Sequence, residues 1–182
     1  MKITLETNRL ILRPFDENDS LAMFNNWASD PEVTKYLTWN HHTDIKQTKE
    51  ILSIWINQYE KPERINFAIE LKETHELIGG IDVVGYIDGV PVIGYCISRK
   101  HWNNGYTTEA FKEVINLLFS LGHDKIRVDA MVENIASNKV ILKCGGKYVN
   151  TYEEFTPNKD RTDKINSYII ERKKGEKNVC NN

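Results

Sequence analysis

The chain predicts a single mixed α/β (α+β) domain: a mostly antiparallel sheet of about six or seven strands, with one parallel strand–helix–strand unit set into it. Three observations carry that expectation. Apolar runs between residues 66 and 97 are separated only by short turns, as in an antiparallel meander. Residues 91–132 then read as a strand, a polar loop, an amphipathic helix and a second strand, which implies a parallel neighbour and a right-handed crossover. Finally, 182 residues with 40% hydrophobic and 27% charged side chains fill one core well and are short for two.

Taken in order, Arg9-Leu-Ile-Leu-Arg-Pro14 is a first strand, with Leu10 and Leu12 alternating against Arg9, Ile11 and Arg13, and Pro14 marking its end or an edge. Asp16-Glu-Asn-Asp-Ser20 starts a helix carrying Leu21, Met23, Phe24 and Trp27. The proline of Ser29-Asp-Pro31 bars a continuous helix through residue 30. After the aromatic and polar connection Tyr36–Thr43, Thr43 or Asp44 caps a helix from Ile45 to about Tyr59, expected to bury Ile51, Ile54, Trp55 and Tyr59. Asn66–Leu71 and Glu76–Val84 are strands joined by the turn Lys72–His75. Asp88-Gly89 is a two-residue hairpin turn into Val90–Ile97. The next helix places Ala110, Val114, Leu117, Leu118 and Leu121 on one face, and the strand Lys125–Val132 follows it. A short helix with a glycine stop spans Glu133–Gly146. Lys147–Phe155 and Lys164–Arg172 close the sheet around the polar loop Thr156–Asp163. The domain is expected over residues 1–172, with a polar tail at 173–182.

Composition excludes several functional classes. A formal net charge of −2 provides no basic field for nucleic acid. No apolar run approaches the roughly 20 residues of a membrane helix, and the opening residues lack the apolar core of a signal peptide. Cys96, Cys144 and Cys180 are odd in number and lack Cys-x-x-Cys spacing, as expected of reduced thiols in a cytoplasmic protein. Adjacent His41 and His42 lack ligand spacing, so no metal is expected. They read as surface or acceptor-pocket residues.

The chemistry concentrates in Trp102-Asn103-Asn104-Gly105-Tyr106-Thr107-Thr108-Glu109-Ala110, a polar loop opening directly onto a helix. Backbone N–H groups at a helix start have no partner inside the helix, and their dipoles favour an anion such as a phosphate. Gly105 lacks a Cβ, so it takes turn geometry and lets a ligand come close to the backbone.

This loop is one of four elements that recur in order: Gly94-Tyr95, Trp102–Ala110, Glu133-Asn134-Ile-Ala-Ser137 and Lys143-Cys-Gly145-Gly146. With Thr7–Arg13 and Asp30–Val33, they resemble the GNAT superfamily of N-acetyltransferases over nearly the whole chain. The pattern is most similar to the branch of ribosomal-protein and small-amine acetyltransferases (RimJ/RimL-like). The resemblance implies an acyl-CoA N-acyltransferase fold and direct transfer of acetyl from acetyl-CoA to a primary amine, either a protein N-terminus or a small molecule. It implies that Asn103–Thr108 holds the diphosphate, with Trp102 and Lys143 part of the matched motifs. By the same likeness Tyr95, Cys96 and Ile97 align the pantetheine arm, Asn134 binds that arm, and Ser137 protonates the leaving thiolate. Glu109 is expected to be structural. Tyr36, Trp39 and His41 fall in the loop from which relatives build the acceptor pocket. Oligomeric state is left as monomer or homodimer.

The chain departs from the pattern at Asn103 and Thr107, where glycine or alanine is usual, at Trp102, and at Gly146, where a phenylalanine is usual. Asn tolerates left-handed backbone, so Asn103 is compatible with the loop. Glu70, Asp82, His101, Glu153 and Glu154 all qualify as general base. Cys96 as a covalent acetyl carrier is rejected in favour of direct transfer. A different class of reading keeps the fold without turnover: a non-catalytic acyl-CoA-binding or sensor domain.

Overall fold

The computed structural model describes residues 3–61 and 64–173; residues 174–182 of the expected tail, Cys180 among them, lie outside the described residues. The strands are β1 (Leu5–Glu6), β2 (Leu10–Arg13), β3 (Asn66–Leu71), β4 (Leu77–Ile87), β5 (Val90–Ile97), β6 (Lys125–Met131), β7 (Lys147–Thr156) and β8 (Arg161–Glu171). Among the described residues they form one eight-stranded sheet in the order β1-β2-β3-β4-β5-β6-β8-β7. Every neighbouring pair is antiparallel except β5–β6. The strand beyond the expected count is the two-residue β1, too short for any periodicity to reveal it.

The helices are α1 (Ser20–Met23), α2 (Pro31–Thr34), α3 (Ile45–Gln58), α4 (Tyr106–Ser120) and α5 (Ile135–Lys143). The helix expected after Asp16 is divided. A 3₁₀ turn at Glu17–Asp19, closed by a capping box on Asp16, leads into α1, and a π turn at Phe24–Ala28 follows. Asp30 then caps α2, with Pro31 at its first position, where the missing N–H costs nothing. The cap of α3 is Asp44, and Gln47 reaches back to the Thr43 N–H at 2.8 Å.

α3 buries a different stripe from the one expected. Thr48, Leu52 and the following Tyr59 face the sheet, Ile51 and Trp55 lie on the flank, and Ile54 is 51% exposed. Ile54 is apolar because it faces a cleft rather than the core. On α4 the buried residues are Ala110, Phe111, Val114, Ile115 and Leu118, while Leu121 lies past the last turn and is exposed. The Asp88-Gly89 turn has positive φ at both positions (51° and 77°), the mirror-image turn that suits the twist of a hairpin. The closing strands also reach further than expected. β8 begins at Arg161, because Arg161 and Thr156 both bond to Asp163 and zip up the base of the loop.

The sheet separates two cores. On one face α4 and α5 pack against Leu12, Phe67, Ile81, Ile93, Val128 and Ile170. On the other, Phe15, Met23, Trp27, Val33, Leu52 and Leu77 join the α1–α3 layer to Ala68 and Cys96. Among the described residues no helix is long and apolar enough to cross a membrane.

Candidate active site

β5 and β6 are joined only at Val92↔Arg127 and Ile93↔Val128, and beyond those pairs they diverge. β4 stays paired with β5 as far as Ile97, and β6 with β8 as far as Met131. The divergence therefore opens a wedge inside the sheet at the carboxyl ends of the two parallel strands. Backbone alternation decides which groups face it. The Ser98 N–H donates to Ile78 O at 2.7 Å, on the β4 side, so with a period of two Cys96 also bonds toward β4. The polar backbone groups of Tyr95 and Ile97 then point into the wedge. This corrects the expectation for Cys96, whose backbone belongs to the β4 ladder and which reaches the cleft only through its side chain. The Ile97 carbonyl takes a hydrogen bond from the Trp102 indole N–H (2.9 Å), which folds the loop back over the end of β5.

In that loop Asn103 (φ 63°) and Gly105 (φ 79°) are both left-handed, so the asparagine holds the geometry a glycine would otherwise supply. Asn104 bonds to Trp102 O at 3.0 Å. Gly105 is the N-cap of α4 and gives the helix no side-chain cap, whereas α2, α3 and α5 are capped by Asp30, Asp44 and Asn134. The α4 start thus keeps its N–H groups and positive dipole end clear of any capping side chain, between Asn103, Asn104 and Gly105, all exposed.

A residue the sequence reading passed over frames this loop. Arg9 of the β1–β2 turn donates from Nη1 to Asn104 O (3.0 Å), covers the Tyr106 ring (4.4 Å), and pairs with Glu109 through Nε and Nη2 (both 2.7 Å). Glu109 also accepts from Thr7 Oγ1 (2.6 Å) and the Arg9 N–H (2.8 Å). Burial works against ionisation, but these bonds from Thr7 and Arg9 hold the Glu109 carboxyl below its ordinary value. Glu109 is structural, as expected, and its partners lie about 100 positions away, where no local spacing could reveal them.

At the end of β6 the Asn134 side chain caps α5 by accepting from the Ser137 N–H at 3.1 Å. The Ser137 hydroxyl meets the Tyr95 hydroxyl at 2.9 Å, a pairing across the wedge that the sequence did not disclose. Burial pushes the Tyr95 phenol up, against the effect of Ser137, so it stays protonated. Beneath them Asn138, buried, donates to Met131 O and Asn134 O and accepts from Tyr168 and Asn166, locking α5 to the sheet. Lys143 is exposed in the last turn of α5, two turns from Ser137. Its neighbour Cys144 contacts Thr108 O at 3.8 Å, so that turn lies beside the start of α4. The Gly146 departure has a steric reason: a Cβ there would come 2.5 Å from Ile141 Cγ2 and 3.0 Å from Ile141 O.

The wedge continues into a cleft of about 720 Å³ on the α1–α3 face. Tyr36 and Trp39 line it with Trp55, Tyr86 and Tyr152, while His41 is exposed and outside the lining. His42 is turned inward onto Thr48 (2.7 Å) and the Trp39 ring. Of the five candidate bases, only Asp82 and Glu154 line the cleft. Glu70 is held by Arg13 (2.6 Å) and His75 (2.7 Å), His101 stands beside Glu76 (3.3 Å), and Glu153 lies outside the lining. Burial raises Asp82 to about 6, against the pull of Arg64. Burial and the Asp82 charge push the Cys96 thiol up to about 12.

The cleft's two rims are fastened together. Asn40 donates to Asn158 O (2.6 Å), Asn158 to Thr38 O (3.2 Å), Arg161 to Lys35 O (2.9 Å), and Lys159 to Thr34 O. Among the described residues no group of three or more His, Cys, Asp or Glu is placed to hold a metal ion.

Comparison with known proteins agrees with this geometry. Residues 9–147 match the family model described as acetyltransferase (GNAT) domain. The uncharacterized N-acetyltransferase YoaA of Bacillus subtilis (strain 168) is 35% identical over 144 residues, 78% of this chain and 81% of that protein. An acetyltransferase (GNAT family) from Bacillus anthracis superposes with a TM-score of 0.81 at 23% identity, covering 93% of this chain and 98% of that one. A structure of RimL, described as a ribosomal L7/L12 alpha-N-protein acetyltransferase in complex with coenzyme A, gives 0.81 at 16% identity, covering 93% and 98%. The chain belongs to the GNAT acetyltransferase family.

Proposed function

We propose that this GNAT acetyltransferase transfers acetyl from acetyl-CoA directly to a primary amine that enters through the aromatic cleft. The observation that carries the reading is the meeting, at one end of the sheet, of an uncapped helix start, an unpaired strand edge and a serine hydroxyl. The α4 N–H groups at Gly105–Thr108 take the diphosphate, because among the described residues no side chain caps this helix start and its donors and dipole are left for a ligand. Lys143 and Arg9 add positive charge near that end. The backbone of Tyr95 and Ile97 pairs with pantetheine amides, and an N–H on this edge polarises the thioester carbonyl. Asn134 sets the start of α5, and Ser137, steadied by Tyr95, supplies the proton for the leaving thiolate.

The acceptor is a protein N-terminus or a small amine. The α-amino activity described for RimL supports the first, and the aromatic walls around Tyr36 and Trp39 are compatible with either. Calorimetry with acetyl-CoA and CoA, followed by thiol release across small amines and N-terminal peptides, tests the reading. Micromolar binding with release for at least one amine is expected. Failure to bind acetyl-CoA would overturn the assignment of the loop and strand edge. Binding without release for every amine and peptide would overturn the transfer reading.

A further inference from the structure

Asn66, Asp82 and Gly94 form one row across β3, β4 and β5, since Asn66 pairs with Asp82 and Asp82 with Gly94. Directly opposite residues of adjacent strands share a face. This row shares the face of Ala68 and Cys96, which pack in the α1–α3 core, so it looks into the acceptor cleft. Gly94 is the first residue of β5 beyond the last β5–β6 pair. A Cβ on it would come 2.7 Å from Val84 Cγ1 and 3.7 Å from Asp82 Oδ1, so the bare backbone here makes room for the Val84 side chain and lets the Asp82 carboxylate lie against this strand. Asn66 is 3% exposed, lines the same cleft, and its Nδ2 has no hydrogen-bond partner among the described residues. Buried donors are nearly always satisfied, so one left over beside a carboxylate at a cleft wall marks a place where a ligand oxygen or water is held.

We infer that Asp82 is the proton acceptor for the incoming ammonium group, with Asn66 as the neighbouring donor that fixes the acceptor or a relaying water. This rests on the acetyltransferase reading above and goes beyond it. The alkylammonium gives one proton to Asp82, and the freed nitrogen lone pair attacks the thioester carbonyl carbon. The C–N bond forms and the C–S bond breaks. The second nitrogen proton is lost to solvent as the amide forms, and the thiolate takes the Ser137 hydroxyl proton. Ser137 is reprotonated from solvent and Asp82 returns its proton to solvent, so one proton is released per turnover. Protons thus enter and leave on opposite faces of the sheet, Asp82 on the α1–α3 face and Ser137 at the start of α5.

The groups facing Asp82 are Arg64 before β3 (Nη2 to Oδ2, 3.5 Å), Tyr59 at the end of α3, and Cys96 on β5. Arg64 favours the ionised carboxylate, and burial opposes it more strongly. A carboxyl raised toward working pH is better matched to general-base duty than an ordinary one.

The test uses the full-length protein with an amine shown to release thiol. Asp82→Asn is expected to lower kcat by at least about a hundredfold, leave acetyl-CoA affinity within about twofold, and remove the acid limb of the kcat profile. Asp82→Glu is expected to recover part of kcat. Arg64→Met is expected to move the acid limb to higher pH, a shift that a merely structural contact would not produce. Carbon-13 carboxyl titration of the wild-type acetyl-CoA complex provides a readout independent of turnover, expected near pH 6 for Asp82. An Asp82→Asn enzyme with wild-type kcat and limb, or a carboxyl titrating at the ordinary aspartate value, overturns the inference. Absence of turnover with every amine in the wild type sinks the transfer reading instead, and the carboxyl titration still decides on Asp82.

Discussion

Replacing Gly105 by asparagine separates two roles that most substitutions confound. Gly105 sits at φ 79° and ψ 1°, so an alanine there costs roughly 1–2 kcal/mol of left-handed strain. Asparagine escapes most of that penalty, and the same loop already carries Asn103 at φ 63°. Space within the protein is not the obstacle. Beyond its chain neighbours and its own helix, a Cβ at Gly105 would meet, among the described residues, only Arg9 Nη2 within 4 Å, at 3.6 Å. Gly105→Asn should therefore unfold within about 2 °C of wild type, whereas Gly105→Ala should lose about 2–8 °C for a chain of this size. Both should bind acetyl-CoA at least tenfold more weakly, about 1.4 kcal/mol, because the new side chain stands where the phosphates approach the α4 N–H groups. Calorimetric Kd values beside melting temperatures give the comparison. A Gly105→Asn protein with wild-type affinity would refute the argument that bare backbone at this position receives the cofactor.

Other outcomes follow from the surrounding contacts. Glu109→Ala strands the Arg9 N–H and the Thr7 hydroxyl, and should cost about 2 kcal/mol in urea unfolding at pH 7. Because the folded pKa of Glu109 is depressed, its contribution is present above the unfolded value near 4.5 and fades as pH falls through the folded value. The gap between variant and wild type should accordingly shrink at pH 3, and a constant gap would deny the carboxylate its role. With its thiol pushed up to about 12, Cys96 supplies almost no thiolate at neutral pH, so Cys96→Ala should keep kcat within about threefold. Loss of all turnover in a folded Cys96→Ala protein, with trapped acetyl on the wild-type sulfur, would revive the covalent route.

Elements with a local cause were legible in the sequence. The Asp88-Gly89 turn, the helix break before Pro31, the α3 cap at Thr43 or Asp44 (Asp44 in the structure) and the loop-to-helix step at Gly105 each follow from the backbone preferences of one or two residues. What escaped was set by distant partners. The phase of α3 is fixed by which side of it faces the sheet, and Ile54 was placed in the core because hydrophobicity alone cannot tell a core from a cleft wall. The same limit applies to β1, which exists only because Leu5 and Glu6 lie opposite Leu12 and Ile11. At the site, the residue types at Asn134 and Ser137 were readable, but not the hydroxyl pair Tyr95–Ser137 or the Arg9–Glu109 clamp, each bridging segments far apart in the chain. The separation of Asp82 from four other acid–base candidates likewise needed the row it shares with Asn66 and Gly94.

The fastening of the two cleft rims has an evolutionary consequence. At Thr34, Lys35, Thr38 and Asn158 the bonds are accepted by main-chain carbonyls, which every amino acid possesses. Side chains that look into the cleft, Tyr36 and Trp39 on one rim and Tyr152 and Glu154 on the other, take no part in that fastening. The frame is thus indifferent to the identity of the residues that line the cleft. With the cleft in its proposed role as the amine's entry, substitutions at those four positions would retune which amine is accepted while the mouth keeps its width, and a lineage could change substrates here without first relearning how to fold.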